Sequence, residues 1–255
     1  MEMMLPRRSI AGLSICLVML LGSLCMAIGA PSVGAFDPGE MLTLLYKMDS
    51  SYSRVNDYVG VFHKQERICG KLNEGENALF KFQKPFKVYM KFIDGPSTGT
   101  EALYVEGSYD NKLLVRRGGI LEFMTFSVDP MGSLAMSRNR HPVTELGFGF
   151  LLAEFRRNME PAIRCGELEI IRLTDETFNG RPATVVEGRF LSHGGRKYYC
   201  ARFIIHIDKE LLLPVGDVFY DGKDEMFEEY VYTDVKLNAG LTATDFSRYN
   251  KSYRF

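Results

Sequence analysis

Histidine is scarce in this 255-residue chain, and metal-ligand spacings are missing altogether. His63, His141, His193 and His206 are scattered, and none falls in a His-Glu-x-x-His or Cys-x-x-Cys arrangement. A metal needs several ligands converging on one point, so no metal centre and no cofactor are expected. A phosphate-cradling Walker loop is also missing, and Gly147-Phe148-Gly149 lacks the third glycine and the preceding strand of a dinucleotide fingerprint. No catalytic apparatus is recognisable, and the expectation is a non-enzyme. Neither sign of charge is in excess. Setting aside residues 1–35, which hold two arginines and one glutamate, 29 basic and 31 acidic side chains remain. That balance provides no electrostatic reason to bind nucleic acid or an anionic membrane. Repeats and low-complexity linkers are lacking too, which predicts one domain over residues 36–255.

Charge is absent from the whole stretch between Arg8 and Asp37. Arg7 and Arg8 precede an apolar run from Ile10 to Ala27, and small residues follow. Val33-Gly34-Ala35 before Phe36 fits a cleavage site, with Ala27-Ile28-Gly29 as a second candidate. A positive head, apolar middle and small-residue exit read as a removable secretory signal over residues 1–35. The alternative is a membrane anchor, since the run nears the ~20 residues that span a bilayer. Gly12, Gly22, Gly29 and Pro31 weigh against it. Ile15 and Leu24 precede Cys16 and Cys25 where a lipoprotein site requires a small residue. The expectation is export to the periplasm or cell envelope of a Gram-negative-type bacterium, with no integral membrane segment after cleavage.

Beyond the signal, Asp37-Pro38 opens a helix by capping and by proline in the first turn. Leu42, Leu45, Met48, Tyr52 and Val55 form one apolar face, predicting a helix to about Asn56. Strands then dominate. Phe86, Val88, Met90 and Phe92 alternate with Lys87, Tyr89 and Lys91, and Ala78, Phe80 and Phe82 alternate likewise. Lys84, Lys87 and Lys91 read as a solvated face. A second helix is predicted from Val143 to Met159, with Leu146, Phe150, Leu151 and Phe155 as its stripe and Pro161 closing it. Strands return after it, punctuated by Asn179-Gly180 and Asp221-Gly222 turns. Within them Phe203, Ile205 and Ile207 share one side. The total is about eleven strands joined by short turns, an antiparallel meander of mainly β (α+β) class.

Among polar features, Arg138-Asn139-Arg140-His141-Pro142 stands out. It offers an anion site before a helix, or a salt-bridge node in which Arg138 or Arg140 meets Glu145 or a strand carboxylate. The second is favoured. Glu228-Glu229 and Asp224-Glu225 read as surface charge, and His206 as an ordinary strand residue. Three cysteines lie beyond the signal. A Cys165–Cys200 bridge would close a loop of about 35 residues and stabilise by roughly 3–4 kcal/mol, but three free thiols fit equally well.

Phe62-His63-Lys64-Gln65-Glu66-Arg67-Ile68-Cys69-Gly70-Lys71-Leu72 resembles the opening motif of a bacterial family called domain of unknown function 1571. The likeness continues through Pro85 to Lys91, Glu101 to Gly107, Asp129 to Met136 and Arg140 to Gly147. That family has no established activity. Its order of elements is similar to that of the lipoprotein-localisation carriers LolA and LolB and the sensor RseB. The resemblance implies a strongly curved antiparallel sheet, an incomplete barrel, with the N-terminal and central helices as lids over its concave face. The sheet would present Phe80, Phe82, Val88, Met90, Phe92, Phe203 and Ile205. The lids would present Leu45, Met48, Tyr52, Leu146, Phe150 and Leu151. Burying each such side chain is worth roughly 1.5–3 kcal/mol, so this wall must be covered. Either the helices pack it dry or an acyl chain of a lipid or lipoprotein fills the gap. A carrier or sensor of such a chain is the expected function, and a packed module contacting an envelope protein is the alternative.

Overall fold

Alternation of apolar and polar residues makes strands over most of the chain, and short turns make them antiparallel. In the computed structural model, residues 38–119, 123–191 and 195–255 are described. The expected signal and His193 lie outside them. Helix α1 (Pro38–Ser53) leads into β1 (Asp57–Ile68), the two-residue β2 (Lys71–Leu72), β3 (Glu76–Gln83) and β4 (Lys87–Phe92). β5 (Glu101–Val105), β6 (Leu113–Arg116) and β7 (Thr125–Val128) complete the first half. A long loop carries the single-turn α2 (Ser133–Met136) and a 3-10 turn (Val143–Glu145) into α3 (Phe148–Arg164). β8 (Leu168–Phe178), β9 (Arg181–Phe190), β10 (Arg202–Asp208), β11 (Leu213–Tyr220) and β12 (Met226–Leu237) follow.

All twelve strands belong to one open antiparallel sheet, ordered β7-β6-β5-β4-β3-β1-β12-β11-β10-β9-β8, with β2 beside β1. The two halves of the chain join where β1 pairs with β12, Phe62 opposite Tyr232 and Glu66 opposite Glu228. Both α1 and α3 lie on the inner face. Met41, Leu45 and Met48 of α1 and Phe148, Leu152, Phe155 and Met159 of α3 share a single apolar cluster with Phe80, Phe82 and Val88 of one half-sheet and Phe203 and Ile205 of the other. Strands this far apart in the order can meet the same two helices only if the sheet curls around them. The expected incomplete barrel is what forms, with twelve strands where about eleven were counted.

Three helix boundaries are corrected. Helix α1 ends at Ser53, three residues early, because the backbone N–H of Asn56 is taken by the Asn238 side chain at 2.7 Å. Helix α3 starts at Phe148, not Val143, because Gly147 breaks the chain direction at φ +98°. It also runs through Pro161 to Arg164, since a proline in the last turn removes only one helical hydrogen bond. No Cys165–Cys200 bridge forms: Cys69 and Cys165 are exposed free thiols, while Cys200 is buried. Burial pushes the Cys200 thiol up to about 12.

The outer face is not wholly solvated. Tyr89, Leu103, Val105 and Leu114 point outward and are covered by the C-terminal segment, with Phe246 buried among them. Tyr253 stacks on Tyr89 at 3.8 Å, and Asp245 receives Lys81 at 2.7 Å. Lys84 is likewise not free: its ammonium donates to the Tyr52 carbonyl at 2.7 Å and sits 4.0 Å from the Tyr52 ring centre. Sequence alternation sets Tyr89 on the side opposite Val88 and Met90, but it does not reveal the tail that lies over it.

Candidate functional site

Cross-strand register stacks the inner side chains in rows. Phe80, Met90, Ala102 and Val115 form one row across β3 to β6, and Ala78 with Phe92 forms the next. The two rows beyond are polar: Glu76, Lys64 and Tyr230 form one, and Glu66 with Glu228 forms the next. Apolar depth therefore gives way to a charged rim within three rows. Over this part of the sheet the covering chain is not α1 but the segment from Pro130 to Leu151, and it stands off. A cavity of about 410 Å³ remains. Its apolar walls include Phe62, Met90, Phe92, Val115 and Phe219 on the sheet, with Ala102 and Leu113, and Leu134, Leu146, Phe150 and Leu151 on the cover.

Two like charges facing each other across neighbouring strands repel. Glu66 and Glu228 do so while nearly fully buried, which requires compensation. The loop supplies it. One Glu228 oxygen accepts from Arg140 Nε at 3.2 Å, His141 Nε2 at 3.1 Å and the Tyr199 hydroxyl at 2.6 Å. Glu66 accepts from the Arg140 backbone N–H at 3.3 Å and from the Tyr230 hydroxyl. Lys64 lies 3.3 Å from Glu76 and 3.7 Å from Glu66 and donates to Asn139. His141 Nδ1 meets Glu145 at 2.8 Å, so the ring is held at both nitrogens. Burial disfavours the charged ring, but the hydrogen bonds and charges of Glu228 and Glu145 outweigh it and raise His141 to about 9. Burial and the neighbouring Glu228 push the Tyr199 hydroxyl far above its ordinary range.

This arrangement is the salt-bridge node the sequence suggested, with Glu228 as the strand carboxylate. Arg140 and His141 join it, whereas Arg138 stands apart on the cavity lining. Reading Glu228 as surface charge is corrected: β12 turns it inward, while Asp224 and Glu225 stay outside on Arg202 and Arg67. Of the seven sheet residues expected to line a ligand space, Met90 and Phe92 border the cavity, and Phe80, Phe82, Val88, Phe203 and Ile205 pack dry beneath the helices. Among the lid residues, Leu146, Phe150 and Leu151 border it, while Leu45 and Met48 are core and Tyr52 packs beside them.

Lys64, Glu66, Glu76 and Tyr199 were missed. Lys64 and Glu66 show a signal in retrospect, since both sit at even positions with Tyr58 and Phe62 on the buried side of β1. Asp217 was missed as well. It is fully buried on β11 without a hydrogen-bond partner among the described residues, and burial followed by the Glu228 charge holds its carboxyl well above the usual range. Gly95-Pro96-Ser97-Thr98-Gly99 spells a Gly-x-Ser-x-Gly pattern, but it forms a 3-10 turn between β4 and β5 rather than a strand-to-helix elbow. Its Ser97 N–H donates to Glu76 at 3.1 Å. Among the described residues no group of three metal-ligating side chains converges, and no helix is long and apolar enough to cross a membrane.

A family model described as "Protein of unknown function (DUF1571)" matches residues 55–255. No curated protein matches the chain. Solved structures similar to it include MucB, with TM-score 0.47 and 14% identity over 82% of this chain and 62% of MucB. The Mycobacterium tuberculosis lipoprotein LppX aligns with TM-score 0.46 and 12% identity over 80% of this chain and 98% of its own. A LolA superfamily protein from Nitrosomonas europaea aligns with TM-score 0.33 and 11% identity over 81% and 97%.

Proposed function

The chain belongs to the DUF1571 family, and we propose that it is an exported, non-enzymatic envelope protein that holds an acyl chain of a lipid or lipoprotein. The observation that carries this reading is the cavity beneath the Pro130–Leu151 cover. Its volume of about 410 Å³ falls in the ~300–1,000 Å³ range of small-ligand sites, which are mostly apolar with a few placed polar groups. Covering its apolar wall is favourable by roughly 25 cal/mol per Å². The remainder of the inner face is closed by α1 and α3, so a bound chain is confined to the space under the Pro130–Leu151 cover, where Phe62, Phe219 and Tyr232 line it beside the β4–β6 residues. The uncharged run from Ser9 to Phe36 supports export. The rim charges pair with one another rather than around a nucleophile, which supports binding over catalysis.

Ala102→Phe tests it, because Ala102 sits between Met90 and Val115 in the apolar row. A fluorescent palmitate analogue should bind the wild type, and the ring should weaken it at least about tenfold by occupying the space. Unfolding temperature serves as the folding control. Equal binding by both proteins sinks the proposal. Contact with an envelope protein is the second reading, favoured by Phe123, Met131 and Leu134, which stay more than half exposed on the β7 side.

A further inference from the structure

Charges around the cavity divide by whether the protein itself answers them. Lys64, Arg140 and His141 are each bound to buried carboxylates. Arg117 and Arg138 are different. Both line the cavity and both are exposed. Neither makes a hydrogen bond or ion pair among the described residues. Arg117 keeps the inward parity of Leu113 and Val115 two residues beyond β6's inner row, so it comes from the sheet wall. Arg138 comes from the covering loop after α2. Two exposed guanidinium groups thus line one cavity, one from the sheet side and one from the covering loop. From Arg117 down to Leu113 is about 13 Å of strand at ~3.3 Å per residue, and the inward side chains below Arg117 are apolar.

We propose that the cavity selects a single-chain amphiphile with an anionic head, a carboxylate or a phosphate, bound at Arg117 and Arg138 with its tail running down past Val115 toward Leu113. This rests on the acyl-chain reading above and adds the chemistry of the head. A guanidinium is a planar fork of donors that matches either oxyanion bidentately. Unpaired cations at the mouth of a low-dielectric cleft also concentrate anions there. The interior charges cannot serve this role, because Glu66, Glu76 and Glu228 already neutralise them.

Calorimetric titration of myristate, 1-myristoyl lysophosphatidate and uncharged 1-monomyristoylglycerol separates head from tail. Wild type should bind both anions about tenfold tighter than the glycerol ester, the effect of two partly screened ion pairs. That preference should shrink as salt rises. In the double variant Arg117→Ala/Arg138→Ala all three should bind alike, at the wild-type affinity for the neutral ester, which also shows that the cavity is intact. Arg117→Lys/Arg138→Lys should restore part of the preference. A tighter lysophosphatidate assigns a phosphate head, and a tighter myristate a carboxylate. Equal wild-type affinities for charged and neutral chains, or a preference that survives in the double alanine variant, overturn the inference while leaving the acyl-chain reading intact. Failure of all three to bind overturns both.

Discussion

His141 is tied to three elements at once: Glu145 on its own segment, Glu228 on β12 and Tyr199 in the loop before β10, with Arg140 adjacent. Its ring titrates near 6.5 when unfolded and near about 9 in the fold. Folded-state protonation is therefore the favoured one, and the interaction contributes fully below pH ~6.5 and fades as pH rises through about 9. His141→Gln should cost up to about 3 kcal/mol near pH 6 and distinctly less near pH 10, read by urea unfolding at both pH values. A difference that does not change with pH would refute the protonated bridge. Glu228 carries more than any single donor. Glu228→Gln leaves Arg140 and His141 facing an amide, and the loss should fall at the low end of ~3–5 kcal/mol because Arg140 is partly exposed. Sequence marked Arg140 and His141 by their density of unusual side chains. It hid Glu228, because a glutamate pair in a strand looks like surface until register sets it beside Glu66.

The start of α3 depends on Gly147. Its φ of +98° and ψ of 170° lie where side-chain-bearing residues are rarely found, and a Cβ there would strike the Tyr58 hydroxyl. That hydroxyl accepts the Phe148 N–H at 3.0 Å, and Tyr58 stacks on both Phe148 and Phe82. Gly147→Ala should therefore cost about 1–3 kcal/mol in backbone strain, with a further loss as Tyr58 shifts. Unfolding of Gly147→Ala beside Gly149→Ala would rank the two, and a neutral Gly147→Ala would contradict the geometry. The periodicity of Leu146, Phe150, Leu151 and Phe155 suggested one helix across this glycine. Periodicity reports which residues are buried together, and a break that keeps Leu146 on the same side as Phe150 leaves no trace in it. The strands were more legible, since period-two alternation is enforced at every residue of a sheet with one packed face.

At the scale of the molecule, the sheet is covered on both sides: by α1 and α3 within, and by the C-terminal segment outside over β3 to β6. Deleting residues 241–255 uncovers Tyr89, Leu103, Val105 and Leu114. The truncated protein should unfold at lower temperature and self-associate, seen by calorimetry and light scattering; an unchanged monomer would deny the tail its covering role. The primary structure alone determined an antiparallel, mainly β chain with a greasy inner wall and two helices to cover it, because alternation, turn residues and helical spacing are local properties. Tertiary structure decided where that wall is packed and where it stands open. It also decided that Glu66 and Glu228 face each other, that Arg140 and His141 compensate them, and that Arg117 and Arg138 are left unanswered at the mouth. The physical reason is that charge pairing and cavity volume depend on distances between strands and loops far apart in the chain, and no local pattern encodes those distances.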